Sequence, residues 1–279
     1  MKRLFLLCCA LLPAFLASAQ NSWISRDYDF VLYLIDNDMK LDARSLVSQE
    51  RWQPSDTLVF LRGWTDYNLR ELESAVRRFE AVPPGSAFFE KALFYQVASR
   101  AHLGDYAGGE RLLTPYRGPH PEVSRLQLAG LALLQDKPEA YRRAAEGFSY
   151  KDYALEAAER ALDAIYQQRY ETRPKSPLLA AAASAVIPGL GKIYAGQVGE
   201  GISSMLVIGA LGAITAEHWE KDGPKDWKTL VSGLACAVLY IGNIYGSYMS
   251  VTIQNMHLKD AQNTAVLYHI HIPLRTVFQ

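Results

Sequence analysis

Few residues in this 279-residue chain have the types and spacing needed for chemistry. His269-Ile270-His271 is the best metal candidate. In an extended strand, side chains two apart share a face, so both imidazoles could ligate zinc if a third ligand approached. Two alternating histidines equally suit an ordinary polar strand face, and we expect no metal there. Gly189-Leu190-Gly191-Lys192 has the look of a phosphate loop. It lacks the first glycine of G-x-x-x-x-G-K-[ST] and the hydroxyl residue after the lysine. The chain has no H-E-x-x-H, no G-x-S-x-G and no C-x-x-C pair. Catalysis needs a nucleophile, an acid–base pair or a metal set at compatible spacing. We therefore expect a protein that is not an enzyme, with no cofactor and no small-molecule substrate.

The elements that would carry these residues divide the chain by charge. Lys and Arg number 29 against 29 Asp and Glu, and mean hydropathy is −0.06. The neutral sum gives no electrostatic footprint for nucleic acid, and a hydrophobic share of 49% excludes a disordered chain. The charges are unevenly placed. Residues 177–216 hold only Lys192 and Glu200, and residues 229–258 hold no charged side chain at all. Each stretch is long enough for a membrane span of about 20 residues.

Residues 1–19 read as a signal peptide. Lys2 and Arg3 precede an apolar run from Leu4, and Ala17-Ser18-Ala19 supplies small residues for cleavage before Gln20. An uncleaved anchor is the alternative, but the run is short for a span. Cys8 and Cys9 lie inside that run, so Cys236 is the one cysteine of the processed chain and no intramolecular disulfide is expected. Cys236 lies in an apolar stretch, where a small buried hydrophobe is its expected role.

Residues 20–173 read as tetratricopeptide-like helical repeats. Breaks at Gln53-Pro54, Pro83-Pro84-Gly85 and Gly118-Pro119 separate apolar patterns of helical period. Small residues at Ala43, Ala75 and Gly109 stand 32 and 34 residues apart, and Leu103-Gly104-Asp105-Tyr106 sits between two amphipathic runs. Gly63 holds a comparable place in the preceding unit. This resembles the 34-residue tetratricopeptide repeat, in which small side chains lie where paired helices cross. A nonrepetitive helical bundle is the alternative. Stacked pairs would leave a curved surface for a peptide or protein, and Arg77, Arg78, Arg142 and Arg143 read as solvated faces beside it.

Residues 174–258 read as a membrane domain with two or three apolar helices. Pro188 and Gly189 should end the first run, Gly201–Ala216 forms the second, and the third extends from Thr229 to Ile253. Between the second and third, Glu217–Lys228 carries four acidic residues, three lysines, and Trp219 and Trp227 as interfacial anchors. The alternative makes these runs the core helices of a soluble protein. Gly242 and Gly246 form a G-x-x-x-G pair suited to helix packing, and Asn243 would need a partner in hydrocarbon. Residues 259–279 read as a short β-like tail containing the two histidines.

One stretch resembles a known family. Ser184-Ala185-Val186-Ile187-Pro188-Gly189-Leu190-Gly191-Lys192-Ile193-Tyr194-Ala195-Gly196-Gln197, followed by Gly199 and Gly201, is similar to the PGLGQ-Y-GQ signature of uncharacterised bacterial envelope proteins of the DUF5683 type. These are more distantly similar to TM2 hairpins. Ile241-Gly242-Asn243-Ile244-Tyr245-Gly246 resembles the later GN-YG segment of the same family. Lys192 departs from the usual glutamine. The resemblance implies a signal peptide, tetratricopeptide-like repeats and a small helical membrane domain, with no enzyme activity to carry over.

The expected fold is therefore all-α, apart from the β-like tail. The expected function is a membrane-anchored periplasmic repeat scaffold at the inner membrane, binding an envelope protein or peptide and contacting lipid but not nucleic acid. The alternative is an accessory subunit for transport or assembly of envelope components through the PGLG hairpin.

Overall fold

The computed structural model describes residues 28–50 and 52–278, whose regular secondary structure is all helical, with no strand among them. The signal-peptide segment, residues 1–19, lies outside the described residues. The chain divides into two compact units. Unit 1 runs to Ala164 and also takes in the C-terminal residues from Val266, and unit 2 is Ile165–Ala265.

Unit 1 begins with α1 (residues 28–36), α2 (Lys40–Val47), α3 (Asp56–Asn68), α4 (Leu72–Glu80) and α5 (Phe89–His102). It continues with α6 (Tyr106–Leu113), α7 (Pro121–Leu134), α8 (Pro138–Ala145) and the greater part of α9 (Glu156–Tyr166). From α2 to α8 each helix packs on the next, and α5 also touches both α3 and α7. Local chemistry fixes the starts: Ser55 accepts from the Leu58 amide at 3.2 Å, Asp105 from the Gly108 amide at 2.9 Å, and Pro121 and Pro138 open α7 and α8.

The turn inside each pair recurs. Asp38, Arg70, Gly104 and Asp136, spaced 32, 34 and 32 residues apart, have φ of 63°, 66°, 81° and 54°. In each case the following amide bonds back to the carbonyl five residues earlier: Met39 to Leu34, Glu71 to Asp66, Asp105 to Arg100 and Lys137 to Ala132, at 2.8–2.9 Å. This left-handed helix cap satisfies carbonyls that would otherwise be orphaned. Only one of the four positions is glycine. A Cβ on Gly104 would meet nothing within 4 Å, so its cost is the backbone's alone. Gly104→Ala should destabilise unit 1 by about 1 kcal/mol. The equally open Gly85, whose φ is not positive, should accept alanine without loss; chemical denaturation of both variants checks the contrast.

Small side chains hold the pairs close. Ala43 and Ala75 are wholly buried, and a Cβ on Gly63 would stand 2.9 Å from the Phe79 ring. Gly109 packs on Leu131 and Val97. At the next period stands Tyr141, buried, with its hydroxyl donating to Asp163 at 2.5 Å. A large ring stands there in place of a small side chain, and α9 supplies the carboxylate that accepts its hydrogen bond.

Unit 2 comprises the end of α9, a π-helical turn at Gln167–Glu171, α10 (Pro177–Val186), α11 (Leu190–Tyr194), α12 (Val198–Asp222) and the first part of α13 (Trp227–Val277). Two of these, α12 with 25 residues and α13 with 51, are long and apolar enough to cross a membrane, whereas α10 has only ten residues. In the π turn, Arg169 donates to Gln262 Oε1 at 3.0 Å and Asn263 Oδ1 at 2.9 Å, tying the linker to α13.

The expected β-like tail is corrected: residues 259–277 continue α13 to Val277. Alternation at Tyr268–Ile272 suggests a strand, but Val266, Ile270 and Leu274 also recur every fourth residue and all are buried. A helix already propagating adds each residue without a new nucleation cost, and this four-residue ladder is the one that finds a surface to bury. It tolerates Pro273 inside the helix despite the lost donor. The metal geometry goes with the strand. Residues two apart on a helix point to nearly opposite sides, so His269 and His271 cannot share a metal in the way a strand would allow.

Candidate functional site

The surface made by α3, α5 and α7 is a groove, and the last turns of α13 lie in it. The ladder packs tightly: a Cβ on Gly130 of α7 would fall 2.1 Å from Ile270 Cγ2 and 3.3 Å from Val266 Cγ1. Gly130 is therefore the niche into which Ile270 fits. Buried Gln127 donates both to the Phe94 carbonyl at 3.1 Å and to the Ile270 carbonyl at 3.3 Å. Phe278 stacks on Phe94 with ring centroids 5.6 Å apart and meets His120 edge-on at 5.0 Å.

His271 takes the other side of the tail. Its Nε2 shares a hydrogen bond with the Tyr67 hydroxyl, and its ring meets Tyr67, Tyr95 and His102 edge-on at 5.8, 6.0 and 6.2 Å. This histidine is a packing and hydrogen-bonding group in the groove. Burial first, and then the charge of Arg70, hold the His102 imidazole below its ordinary value. Folding thus favours the neutral ring, and the folded state takes up this proton at lower pH than the unfolded chain. The stability it contributes is complete above about pH 6.5 and is lost as pH falls through the lower folded value. Unit 1 should lose thermal stability on acidification from about pH 7 to 5, and His102→Gln should reduce that slope only in part, because the ring keeps an exposed edge. Equal slopes in both proteins would count against the assignment.

The PGLG motif builds a different kind of site in unit 2. Pro188 and extended Ile187 stop α10, and Gly189, at φ 87°, caps α11. A Cβ on Gly189 would stand 2.0 Å from the Gly201 carbonyl oxygen, and one on Gly191 would stand 2.0 Å from that of Ala180. Leu190 opens α11; beyond its last residue Tyr194 the chain turns at Gly196, at φ 94°, and the Gln197 amide returns to the Lys192 carbonyl at 2.9 Å. Tyr194 packs on Ala180, Ala195 and Val251 and accepts from the Ser176 amide at 3.1 Å. Glycine here allows backbone to cross backbone, a packing role with no phosphate cradle in it.

Hydrogen bonds join this crossing to α13. Ser184 Oγ and Ser247 Oγ lie 2.6 Å apart, and Ser184 also accepts from the Gly191 amide at 2.9 Å. Tyr240 donates to the Ala185 carbonyl at 2.7 Å. Lys192 reaches Ser204 Oγ at 3.2 Å and lies 3.9 Å from Glu200. Asn243 is buried, and neither atom of its amide makes a hydrogen bond with a described residue. Gly246 faces Lys192, whereas a Cβ on Gly242 would meet nothing within 4 Å and Tyr245 is exposed.

Searches against family models, curated proteins and solved structures give no match. The geometry of the groove and of the glycine crossing therefore carries the functional argument.

Among the residues named from sequence, Gly63, Ala75, Gly104 and Gly109 lie in the pair crossings and turns of unit 1, with half-buried Tyr106 at the first position of α6. Sequence reasoning missed Gly130, Gln127, Tyr67 and Tyr95 as the walls of the groove. The signal for its occupant is Val266, Ile270, Leu274 and Phe278, four apart. No comparable signal identifies the walls, which come from three helices distant in sequence.

Proposed function

We propose that the protein is a membrane-anchored scaffold of the cell envelope: repeats of the tetratricopeptide class bind an envelope protein or peptide in the periplasm, and α12 and α13 hold them at the inner membrane. One observation carries the anchor. The long apolar helix of a soluble core is mostly buried, whereas only 11% of the apolar window of α12 and of α13 is buried. Leu206, Val207, Leu230, Leu234, Val238 and Ile241 all stand exposed. So large an apolar surface needs a cover, and lipid supplies one.

The seated tail then constrains the path of the chain. It belongs to unit 1, as do the helices that precede the membrane segment, so in this reading an even number of spans separates the two. At about 1.5 Å per residue, ten-residue α10 reaches roughly 15 Å, half of the hydrocarbon thickness. Two spans, α12 and α13, meet the requirement. Lys221, Lys225 and Lys228 then face the cytoplasm, as the positive-inside rule favours, and the signal-peptide pattern sends the repeats outward. The turn geometry recurring at 32–34 residues supports the repeat class. The PGLG and GN-YG segments support kinship with the DUF5683-type envelope family.

Single cysteines introduced at Lys225 and Arg275 in a Cys236→Ser background test this arrangement in intact cells. A membrane-impermeant maleimide admitted only to the periplasm should label position 275 and spare 225. Labelling of both, or release of the protein by alkaline carbonate, would defeat the two-span anchor. The second reading, a transport or assembly accessory acting through the PGLG hairpin, draws on the unpartnered amide of Asn243, because polar groups inside membranes mark functional positions. It predicts that residues 174–279 alone restore a deletion phenotype, which the scaffold reading forbids.

A further inference from the structure

The tail leaves part of the unit 1 groove open. Beside its last turns lies a cavity of about 560 Å³, within the size range of ligand sites. Its aromatic wall is Trp64, Tyr67 and Tyr95, with Tyr95 edge-on to the other two at 4.7 and 5.1 Å, and Phe278 of the tail closes one side.

Besides Lys40, two further cations line the same cavity, Lys91 from α5 and Arg275 from the tail. Neither makes an ion pair with a described residue. Lys91 Nζ instead lies 4.7 Å above the Trp64 ring, and burial depresses its basicity, with Asp36 the one carboxylate opposing that. Asp38, the other acid on the wall, is engaged by Lys40 at 2.7 Å. Arg70 adds positive potential from just outside, since its charge is felt at Tyr67. The site thus joins aromatic faces to an excess of unpaired positive charge, in which half-buried Lys91 gains most from an anion that replaces lost water and exposed Arg275 stands ready to pair with it.

We propose that this cavity binds a peptide carboxylate carried beside an aromatic or aliphatic side chain, with the side chain against Trp64, Tyr67 and Tyr95 and the carboxylate paired with Lys91 and Arg275. This rests on the peptide-binding reading above and names the ligand. Because Arg275 and Phe278 belong to the tail, the site is complete only when the tail is seated, and ligand and tail stabilise one another.

The test uses the full-length protein in lipid nanodiscs and three fluorescein-labelled peptides read by anisotropy: Gly-Ser-Gly-Ser-Phe with a free C-terminal carboxylate, the same peptide as its amide, and Gly-Ser-Asp-Phe-Ser amide. At least one carboxylate-bearing peptide should bind about tenfold more tightly than the uncharged amide. Preference for the first means recognition of a chain end, and preference for the third means recognition of an internal acidic residue. Lys91→Met and Arg275→Met should each weaken binding about tenfold without changing the circular dichroism spectrum. Equal binding of all three peptides, no binding, or a folded double variant that binds like the wild type would overturn the proposal. Photocrosslinking from exposed Tyr33 of α1 in the native envelope separates this failure from that of the scaffold reading. A partner captured equally by wild type and double variant removes the cavity but keeps the scaffold, and no partner at all removes the scaffold.

Discussion

Gly191→Ala should disrupt unit 2, costing roughly 3 kcal/mol or more. The new methyl would lie 2.0 Å from the Ala180 carbonyl oxygen and 2.7 Å from Ser184 Oγ. Neither atom can yield cheaply: the carbonyl is fixed in α10, and Ser184 links the Gly191 amide to Ser247 of α13. Relief would separate α10 from α11 and leave the hydroxyl pair of Ser184 and Ser247 without its buried partner, a further cost. Gly209→Ala is the control. It lies in α12, where a Cβ meets nothing within 4 Å, and alanine there should be neutral or stabilise the helix by up to about 1 kcal/mol. Denaturation of the detergent-solubilised variants measures both. If Gly191→Ala unfolds like the wild type, the backbone crossing is not what holds the unit together.

The second large effect is expected at the groove. Ile270 is wholly buried in the Gly130 niche, and truncating a buried isoleucine to alanine costs about 2–5 kcal/mol. Ile270→Asp adds the burial of an unpaired carboxylate, which the seat can avoid only by releasing the tail. Limited proteolysis of the full-length protein should then cut α13 between Val266 and Val277, a stretch expected to resist cleavage in the wild type because its ladder is buried. The helices of unit 1 before Ala164 should remain resistant, because their own contacts persist. Unchanged protection of the tail in Ile270→Asp would show that the ladder does not hold it.

These two sites differ in how much of each the chain announces. The glycine crossing was legible in outline: Pro188-Gly189-Leu190-Gly191 demands a helix stop and a turn, because proline and glycine act on the backbone locally. What the glycines must clear was not. The Ala180 and Gly201 carbonyls that exclude a Cβ are brought there by packing.

The tail shows the opposite case. Tyr268–Ile272 satisfies two periodicities at once, two for a strand and four for a helix face, and local pattern cannot choose between them. The groove chose, because only the ladder of Val266, Ile270 and Leu274 finds buried apolar partners on α7 and its neighbours. His269 and His271 changed meaning with it, from a candidate metal pair to one flank residue and one imidazole bonded to Tyr67. The recurring left-handed turns of unit 1 lie between these extremes. Gly104 marks one turn by residue type, but Asp38, Arg70 and Asp136 adopt the same left-handed cap without glycine, so spacing identified what composition could not.

By itself the sequence determined the helical class, the stops between helices, and the separation of charged from charge-free stretches, since these follow from backbone chemistry and solvent preference acting within a few residues. Tertiary structure alone decided that α12 and α13 leave their apolar faces uncovered, that Gly189, Gly191 and Gly201 serve backbone contact, and that the chain's end fills part of its own groove. Each of these depends on which surfaces of different helices meet, and the free energy of such a meeting lies in shape and burial rather than in any local pattern.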